Sequence, residues 1–387
     1  MKILTIAATP FFSDRGCHVR IYNAAKYLQK FGARVKICTY FDGANVAGLD
    51  VKKIKKVGWY KKKSPGFSWG KFWLDIKLIF LCRKTIRAFQ PDVIHAHLYE
   101  GLGVGYIAKK LAFRNVPIVI DLQADLDEEF RNYNQNNYIA RRIFVWLSQK
   151  LINSCDWLVL SSENLLPKMQ TIFRHKGRVA VIRDGVALDL FRNIPKVAEK
   201  DREKIEEIKK WKADKKLLVY IGGLSDNKGV WDMLECFKKI AAESDGWKLL
   251  VGGFGIDEEK YKNYISDNNL NDSIFITGKV NYFSLPAYLA LAEAGIDPKN
   301  SSTESSGKIV NLMAAGLPII CFENEFNRAR LGNKGLFIKS FDELSQALAD
   351  VEKGDNIDYD LGSLNEEREI QKLYEIFVQL TKEKQGL

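Results

Sequence analysis

The sequence predicts an α/β chain made of two doubly wound domains. Short apolar runs alternate with longer stretches of helical periodicity, the alternation restarts after one charged stretch, and glycine-rich or polar loops follow the apolar runs. At 387 residues the chain is too long for one ordinary core and fits two domains of roughly 100–200 residues each. With 46% hydrophobic and 28% charged residues it can bury its cores, which excludes a scaffold of disordered tails.

Ile3–Ala8 is the first expected strand; its apolar run is too short for a signal peptide. Val19–Phe31 reads as a helix with Ile21, Ala24, Ala25 and Leu28 on one face and Gly32 as its cap. Further strands are expected at Arg34–Tyr40, Val93–His97, Ile118–Leu122, Trp157–Ser161 and Val179–Arg183. Asn193–Lys216 is charged and lacks a strand pattern. A second series follows, with strands at Leu217–Gly222, Lys248–Val251, Ile274–Thr277, Ala294–Asp297 and Ile319–Phe322. Helices fit between them at Gly229–Ala242, Glu258–Asn268, Ser284–Leu291 and Gly307–Ala315. The expected domains are therefore 1–190 and 191–365, both Rossmann-like, and residues 366–387 form an amphipathic helix returning to the first domain. Such sheets bind ligands at the carboxyl ends of their strands, here in a cleft that the two domains face.

The six cysteines lie far apart without a C-x-x-C pair, which argues against a zinc site or disulfide framework and for a reducing compartment. Four histidines leave little for a His-built metal centre, and no stretch approaches the roughly 20 apolar residues of a transmembrane helix. A net charge of +11 points to an anionic partner: nucleic acid, anionic lipid or a nucleotide diphosphate. Residues 51–74 hold eight lysines, among them Lys61, Lys62 and Lys63, and no acidic residue, with Trp69 and Trp73 among the interleaved aromatics. From Phe72 on, the pattern suits a helix lying on an anionic membrane surface. Lysines and aromatics could also grip single-stranded nucleic acid, but no RNP, KH or helix-turn-helix pattern accompanies them, and no nucleic-acid partner is expected.

Asp297–Pro318 leaves a strand through a polar loop and enters a helix near Ser306. Free backbone N–H groups and the helix dipole favour an anion there, Gly307 allows close approach, and Lys308 adds a full positive charge. Gly222–Gly229, carrying Gly223 and Lys228, follows one strand, and Gly252-Gly253-Phe254-Gly255 follows the next. Three such loops at successive strand ends of one sheet form a candidate phosphate cradle.

These residues resemble the GT-B-fold nucleotide-sugar glycosyltransferases, specifically the retaining family 4 type, over nearly the full length. The glycine–lysine loop matches at Gly222 to Gly229, the next glycine loop at Gly253-Phe254-Gly255, and the strand–glycine–valine segment at Phe275 to Val280, with Lys279 inside it. Met313-Ala314-Ala315-Gly316-Leu317-Pro318 matches the family's M-A-x-G-x-P helix end. In the first domain, Pro91 to His97 matches a D-V-I-H-x-H strand end, and Val181 to Val186 resembles an N-G-V segment near the domain crossover.

The resemblance implies a donor site at Gly16, Gly223, Lys228, Gly253, Lys279, Val280, Glu304, Ser306, Gly307, Lys308 and Asn311. It implies catalytic-side residues His97, Gln123 and Asp125, with Arg15 and His18 as further polar candidates. The chain departs from the family at its paired glutamates, which fall on Thr303 and Asn311, with Glu304 one residue out of register. Gln123 stands where a histidine is usual; it can position a hydroxyl but cannot act as a base. The implied activity is transfer of a sugar from a nucleotide-diphosphate sugar, a UDP-sugar being favoured, to a hydroxyl on a lipid-linked or cell-envelope glycan. No D-x-D signature lies in the donor loops, so no metal and no cofactor are expected. Lys61–Lys63, Trp69 and Trp73 would face the membrane or acceptor, at the cytoplasmic side of the plasma membrane. A sugar-nucleotide epimerase of similar fold, or a catalytically silent nucleotide-sugar-binding homologue, are the alternative readings.

Overall fold

The computed structural model describes residues 1–13, 16–58, 60, 69–123, 138–192, 197–300, 306–353 and 357–386. The chain folds as two compact units, one of Met1–Asp184 together with Glu366–Leu387, the other of Gly185–Asn365.

The first unit holds a seven-stranded parallel sheet in the order β3-β2-β1-β4-β5-β6-β7. Its strands are β1 (Lys2–Ala7), β2 (Arg34–Thr39), β3 (Asp50–Lys53), β4 (Val93–His97), β5 (Ile118–Leu122), β6 (Trp157–Leu160) and β7 (Val179–Val181). The central strands β1, β4 and β5 are buried almost throughout and mostly apolar, with His95, His97 and Asp121 among the buried exceptions, because helices cover both of their faces. Edge strand β3, unexpected from the sequence, has one apolar residue among charges. Its Asp50 pairs with Lys36 of β2 at 3.0 Å.

Helices α1 (Gly16–Lys30), α2 (Trp69–Phe89), α3 (Leu98–Leu111), α4 (Tyr138–Ile152) and α5 (Leu166–Thr171) connect these strands. α2 turns Leu74, Leu78, Cys82 and Ile86 inward at four-residue spacing, onto Leu4, Ile94 and Leu102.

The second unit holds a six-stranded parallel sheet, β10-β9-β8-β11-β12-β13. Its strands are β8 (Lys216–Gly223), β9 (Trp247–Phe254), β10 (Ile274–Gly278), β11 (Ala294–Asp297), β12 (Ile319–Phe322) and β13 (Gly335–Ile338). Its helices are α6 (Leu188–Arg192), α7 (Glu199–Lys212), α8 (Val230–Glu243), α9 (Glu258–Asp267), α10 (Leu285–Leu289), α11 (Gly307–Ala314), α12 (Glu325–Leu331) and α13 (Leu344–Lys353). The unit begins at Gly185, ahead of position 190, because Val186 and Leu188 bury against Val310.

Helix α14 (Glu366–Gln385) belongs to the first unit, burying Ile370, Leu373 and Phe377. Ion pairs Lys30–Glu367 and Arg178–Glu383 flank it. Among the described residues no helix is long and apolar enough to cross a membrane.

Candidate active site

In the second unit β9, β8 and β11 lie side by side and parallel, so their carboxyl ends bring three loops together. Helix α11 starts at Gly307 with Ser306 as N-cap, its hydroxyl accepting from the Lys308 N–H at 3.3 Å. Lys308 Nζ donates to the Ser306 hydroxyl at 2.8 Å and lies 3.0 Å from Asp297 Oδ1, as an ion pair rather than a directed hydrogen bond. Asp297 is only 1% exposed and ends β11, so its carboxylate fixes the ammonium at the sheet edge. The Lys308 stem crosses Gly222, where a Cβ would sit 2.8 Å from Lys308 Cδ and 2.6 Å from Tyr220 Oη. Glycine at 222 is what admits both side chains. Gly253 has φ +138°, and a Cβ there would come within 1.8 Å of the Gly222 carbonyl oxygen, so the β8 and β9 ends meet through bare backbone.

Around this edge Gly223 is exposed, its carbonyl accepting from Tyr220 Oη at 2.8 Å, and Gly307 is exposed with open space beside it. Lys228 ends a 3-10 turn, Asp226–Lys228, which the Asp226 carboxylate pins by accepting from Lys260 Nζ at 2.7 Å and Tyr261 Oη at 2.8 Å. Asn311 is one turn below Gly307, its amide 3.5 Å from the Gly307 carbonyl. Lys279 places its ammonium 5.7 Å from the Phe254 ring. Val280 is 8% exposed and packs in the core beneath Gly252, so its side chain supports the loop from below. Glu304 lies outside the described residues, as does Thr303.

In the first unit the ends of β1, β4 and β5 are adjacent, with Ala7, His97 and Asp121 in register. His95 and His97 share one face of β4, as the two-residue period requires, with ring centroids 4.2 Å apart. Both are fully buried. The side chain of His97 is therefore enclosed rather than open at the strand mouth, with its Nδ1 3.1 Å from the Gln123 amide nitrogen. The amide donates to Nδ1, which leaves the ring proton on Nε2.

Asp121 is buried and accepts from Arg20 Nε through both oxygens, at 3.0 and 2.9 Å. Arg20 also donates to Asp184 at 2.7 Å and to the Ile182 carbonyl at 2.8 Å, tying α1 and β5 to the segment after β7. By distance His95, His97 and Asp121 could ligate a cation, but the guanidinium already serves as the counter-charge of that carboxylate. His18 is buried too: its Nδ1 accepts from the Ser13 N–H at 2.9 Å, so its Nε2 proton is free to donate to the Thr9 hydroxyl at 2.7 Å. Gly16 opens α1, exposed and with open space around it. Arg15, Asp125 and Lys61–Lys63 fall outside the described residues, as does the side chain of Trp69; Trp73 is described and 55% exposed.

Two family models cover nearly the whole chain. The one described as Glycosyltransferase Family 4 matches residues 15–190, and Glycosyl transferases group 1 matches residues 201–383. The chain is a GT-B glycosyltransferase of the family 4 type. It is 22% identical over 339 residues to the alpha-monoglucosyldiacylglycerol synthase of Streptococcus pneumoniae, covering 86% of this chain and 74% of that protein. It is 24% identical over 239 residues to a glycogen synthase of Mycobacterium tuberculosis, covering 61% and 53% respectively.

Among solved structures, the sucrose-phosphate synthase from Thermosynechococcus elongatus superposes with a TM-score of 0.71 at 15% identity, covering 100% of this chain and 98% of that one. Anabaena HepE in complex with UDP-glucose superposes with a TM-score of 0.68 at 17% identity, covering 98% and 100%. These likenesses bear on the fold, which is that of the GT-B enzymes.

The glycosyltransferase carries its buried network at a definite ionisation. Burial alone would raise Asp121, but Arg20, His97 and His95 bring it below the usual carboxylate range. Burial, then His95, holds His97 well below an ordinary histidine. An unfolded chain protonates this histidine near pH 6.5 while the folded one does not, so its contribution is complete above that pH and lost as pH falls. The melting temperature should therefore drop on acidification below about pH 6.5. His97→Asn should flatten that slope by up to about 1.4 kcal/mol per pH unit, read from melts between pH 7.5 and 5.5. Asp75 opposes the trend: burial first raises it, to about 6, so its protonated form favours folding at low pH and that contribution is lost as pH rises through 6. His97→Asn with no effect on the slope would contradict the assignment.

Arg20, Tyr220 and Asp297 have no role assigned from sequence. A signal exists for two residues of this network: Asp121 interrupts an apolar strand and needs a cation, and Arg20 sits on the buried stripe of α1.

Proposed function

We propose that this glycosyltransferase moves a sugar from a UDP-sugar to a hydroxyl of a lipid-linked or cell-envelope glycan, with retention, without a metal, and at the cytoplasmic face of an anionic membrane. The observation that carries the donor half is the start of α11, where Lys308 and the exposed Gly307 amide stand together beside the glycine ends of β8 and β9. Departure of UDP breaks the bond from the sugar C1 to the diphosphate oxygen and leaves negative charge on that oxygen. A preorganised ammonium and helix N-terminal amides stabilise such charge without a metal ion. The acceptor oxygen bonds to C1 on the face the diphosphate leaves, and its proton passes to the departing phosphate. Retention follows the family resemblance.

UDP as the donor nucleotide is supported by HepE, whose structures hold UDP and UDP-glucose. A lipid-borne acceptor is supported by the relative named as a glucosyldiacylglycerol synthase. The test is turnover of UDP-sugars with lipid-linked glycan acceptors in the presence of EDTA. Acceptor-dependent UDP release that survives EDTA is the expected result. Loss of turnover on chelation, or product only from another nucleotide's sugars, would contradict the reading.

A further inference from the structure

We propose that the outer faces of α2, α3 and α4 together form the surface by which this enzyme docks on an anionic phospholipid bilayer. The inference rests on the reading above only for its purpose, since a lipid-borne acceptor requires the enzyme at the membrane. The residues that carry it lie wholly in the first unit.

Among the described residues, every large hydrophobic side chain that is exposed, Ile256 apart, lies on these three helices or immediately after α3. On α2, Phe72, Trp73 and Phe80 are 54–57% exposed, on the side away from the inward stripe of Leu74, Leu78, Cys82 and Ile86. A helix of a water-soluble surface carries polar residues on that side; on α2 three large apolar side chains share it with the exposed Lys77 and Lys84. On α4, Trp146 and Leu147 are 50% and 54% exposed. α3 packs against both α2 and α4 and itself exposes Ile107 and Leu111, so the three helices lie in one layer. A monomeric soluble protein rarely shows so extended an apolar surface unless something covers it.

Charge decides what covers it. The acidic residues of the three helices are Asp75 and Glu100, and both are engaged, Asp75 by Tyr40 and Glu100 by Lys71. Exposed lysines border the patch at Lys77, Lys84, Lys110 and Lys150. Lys150 Nζ sits 4.1 Å from the Trp146 ring and Lys110 Nζ 4.4 Å from the Tyr106 ring, so each lysine stem runs along an aromatic face with its ammonium at the end. Tryptophan with lysine at one level is the arrangement that settles at a headgroup interface. A second copy of the same face would bring like charges together, whereas phosphatidylglycerol or phosphatidylserine headgroups neutralise them.

The experiment is co-sedimentation of the full chain with phosphatidylcholine vesicles, with and without phosphatidylglycerol. It compares the wild type, the pair Trp73→Gln with Trp146→Gln, and the triple Lys84→Glu, Lys110→Glu and Lys150→Glu. Each sample is also melted with and without UDP. The wild type should partition at least tenfold more strongly onto phosphatidylglycerol vesicles. Either variant should lose at least tenfold, with its melting temperature and UDP response unchanged because the altered side chains are exposed. Equal partition of all three proteins, or no sedimentation of the wild type, overturns the proposal. A dimer in light scattering that the tryptophan pair abolishes, without vesicle binding, overturns it in favour of self-association. A UDP response retained without vesicle binding removes this surface alone; vesicle binding retained without a UDP response removes the nucleotide-sugar reading alone.

Discussion

Replacing Arg20 by methionine is expected to destabilise the first unit by about 3–5 kcal/mol, the effect of removing one partner from a buried ion pair. The Arg20 side chain is 3% exposed and that of Asp121 1%, so neither charge has water to fall back on. Without the guanidinium, Asp121 keeps only the two histidines nearby, at 3.6 Å for His95 Nε2 and 3.8 Å for His97 Nδ1. The melting temperature should fall by roughly 6–20 °C for a unit of this size. Adding Asp121→Asn to Arg20→Met should recover much of the loss, because the second change removes the stranded charge. A double variant no more stable than the single one would show that Arg20 acts through its bonds to Asp184 and Ile182 instead.

The second large effect is expected at Lys308. Its ammonium answers a buried carboxylate, so Lys308→Met leaves Asp297 unpaired as well as removing the proposed diphosphate contact. A charge-assisted hydrogen bond is worth about 1.5–3 kcal/mol, so UDP affinity should weaken by roughly 10–100-fold. The two roles separate in the double variant Lys308→Met with Asp297→Asn. Its melting temperature should recover while its UDP affinity stays low. Full recovery of UDP affinity would make Lys308 a counter-ion of Asp297 and nothing more.

The α/β class and the central strands of both sheets were legible because parallel strands covered on both faces must be apolar runs, as in Ile118 to Leu122 and Leu217 to Tyr220. Strand β3 was not legible: Asp50-Val51-Lys52-Lys53 has too little apolar content to register, and only pairing with β2 makes it a strand. β13 was missed for another reason: Gly335-Leu336-Phe337-Ile338 is apolar but only a short segment, and it acquires its partner from β12. The glycine loops could be read because the backbone there demands glycine, as Gly253 shows. Arg20 and Asp121 lie 101 residues apart, and no local pattern joins them. The strand end at His97 is legible, but not its hydrogen bond to Gln123, which follows the neighbouring strand. Lys308 was recognisable as a charge at a helix start, but its pairing with Asp297 depends on β11 and α11 meeting at one edge.

Nucleotide binding by the second unit is tested most directly by a thermal shift with UDP, GDP and ADP, each with and without EDTA. A ligand at about one hundred times its dissociation constant stabilises the native state by about 2.7 kcal/mol, roughly 5–10 °C for a unit of this size. The expected result is a shift with UDP and not with GDP or ADP, unchanged by EDTA and largely lost in Lys308→Met. No shift with any of the three at millimolar concentration, or a UDP shift that EDTA abolishes, would contradict a metal-free UDP-sugar site at Ser306–Lys308.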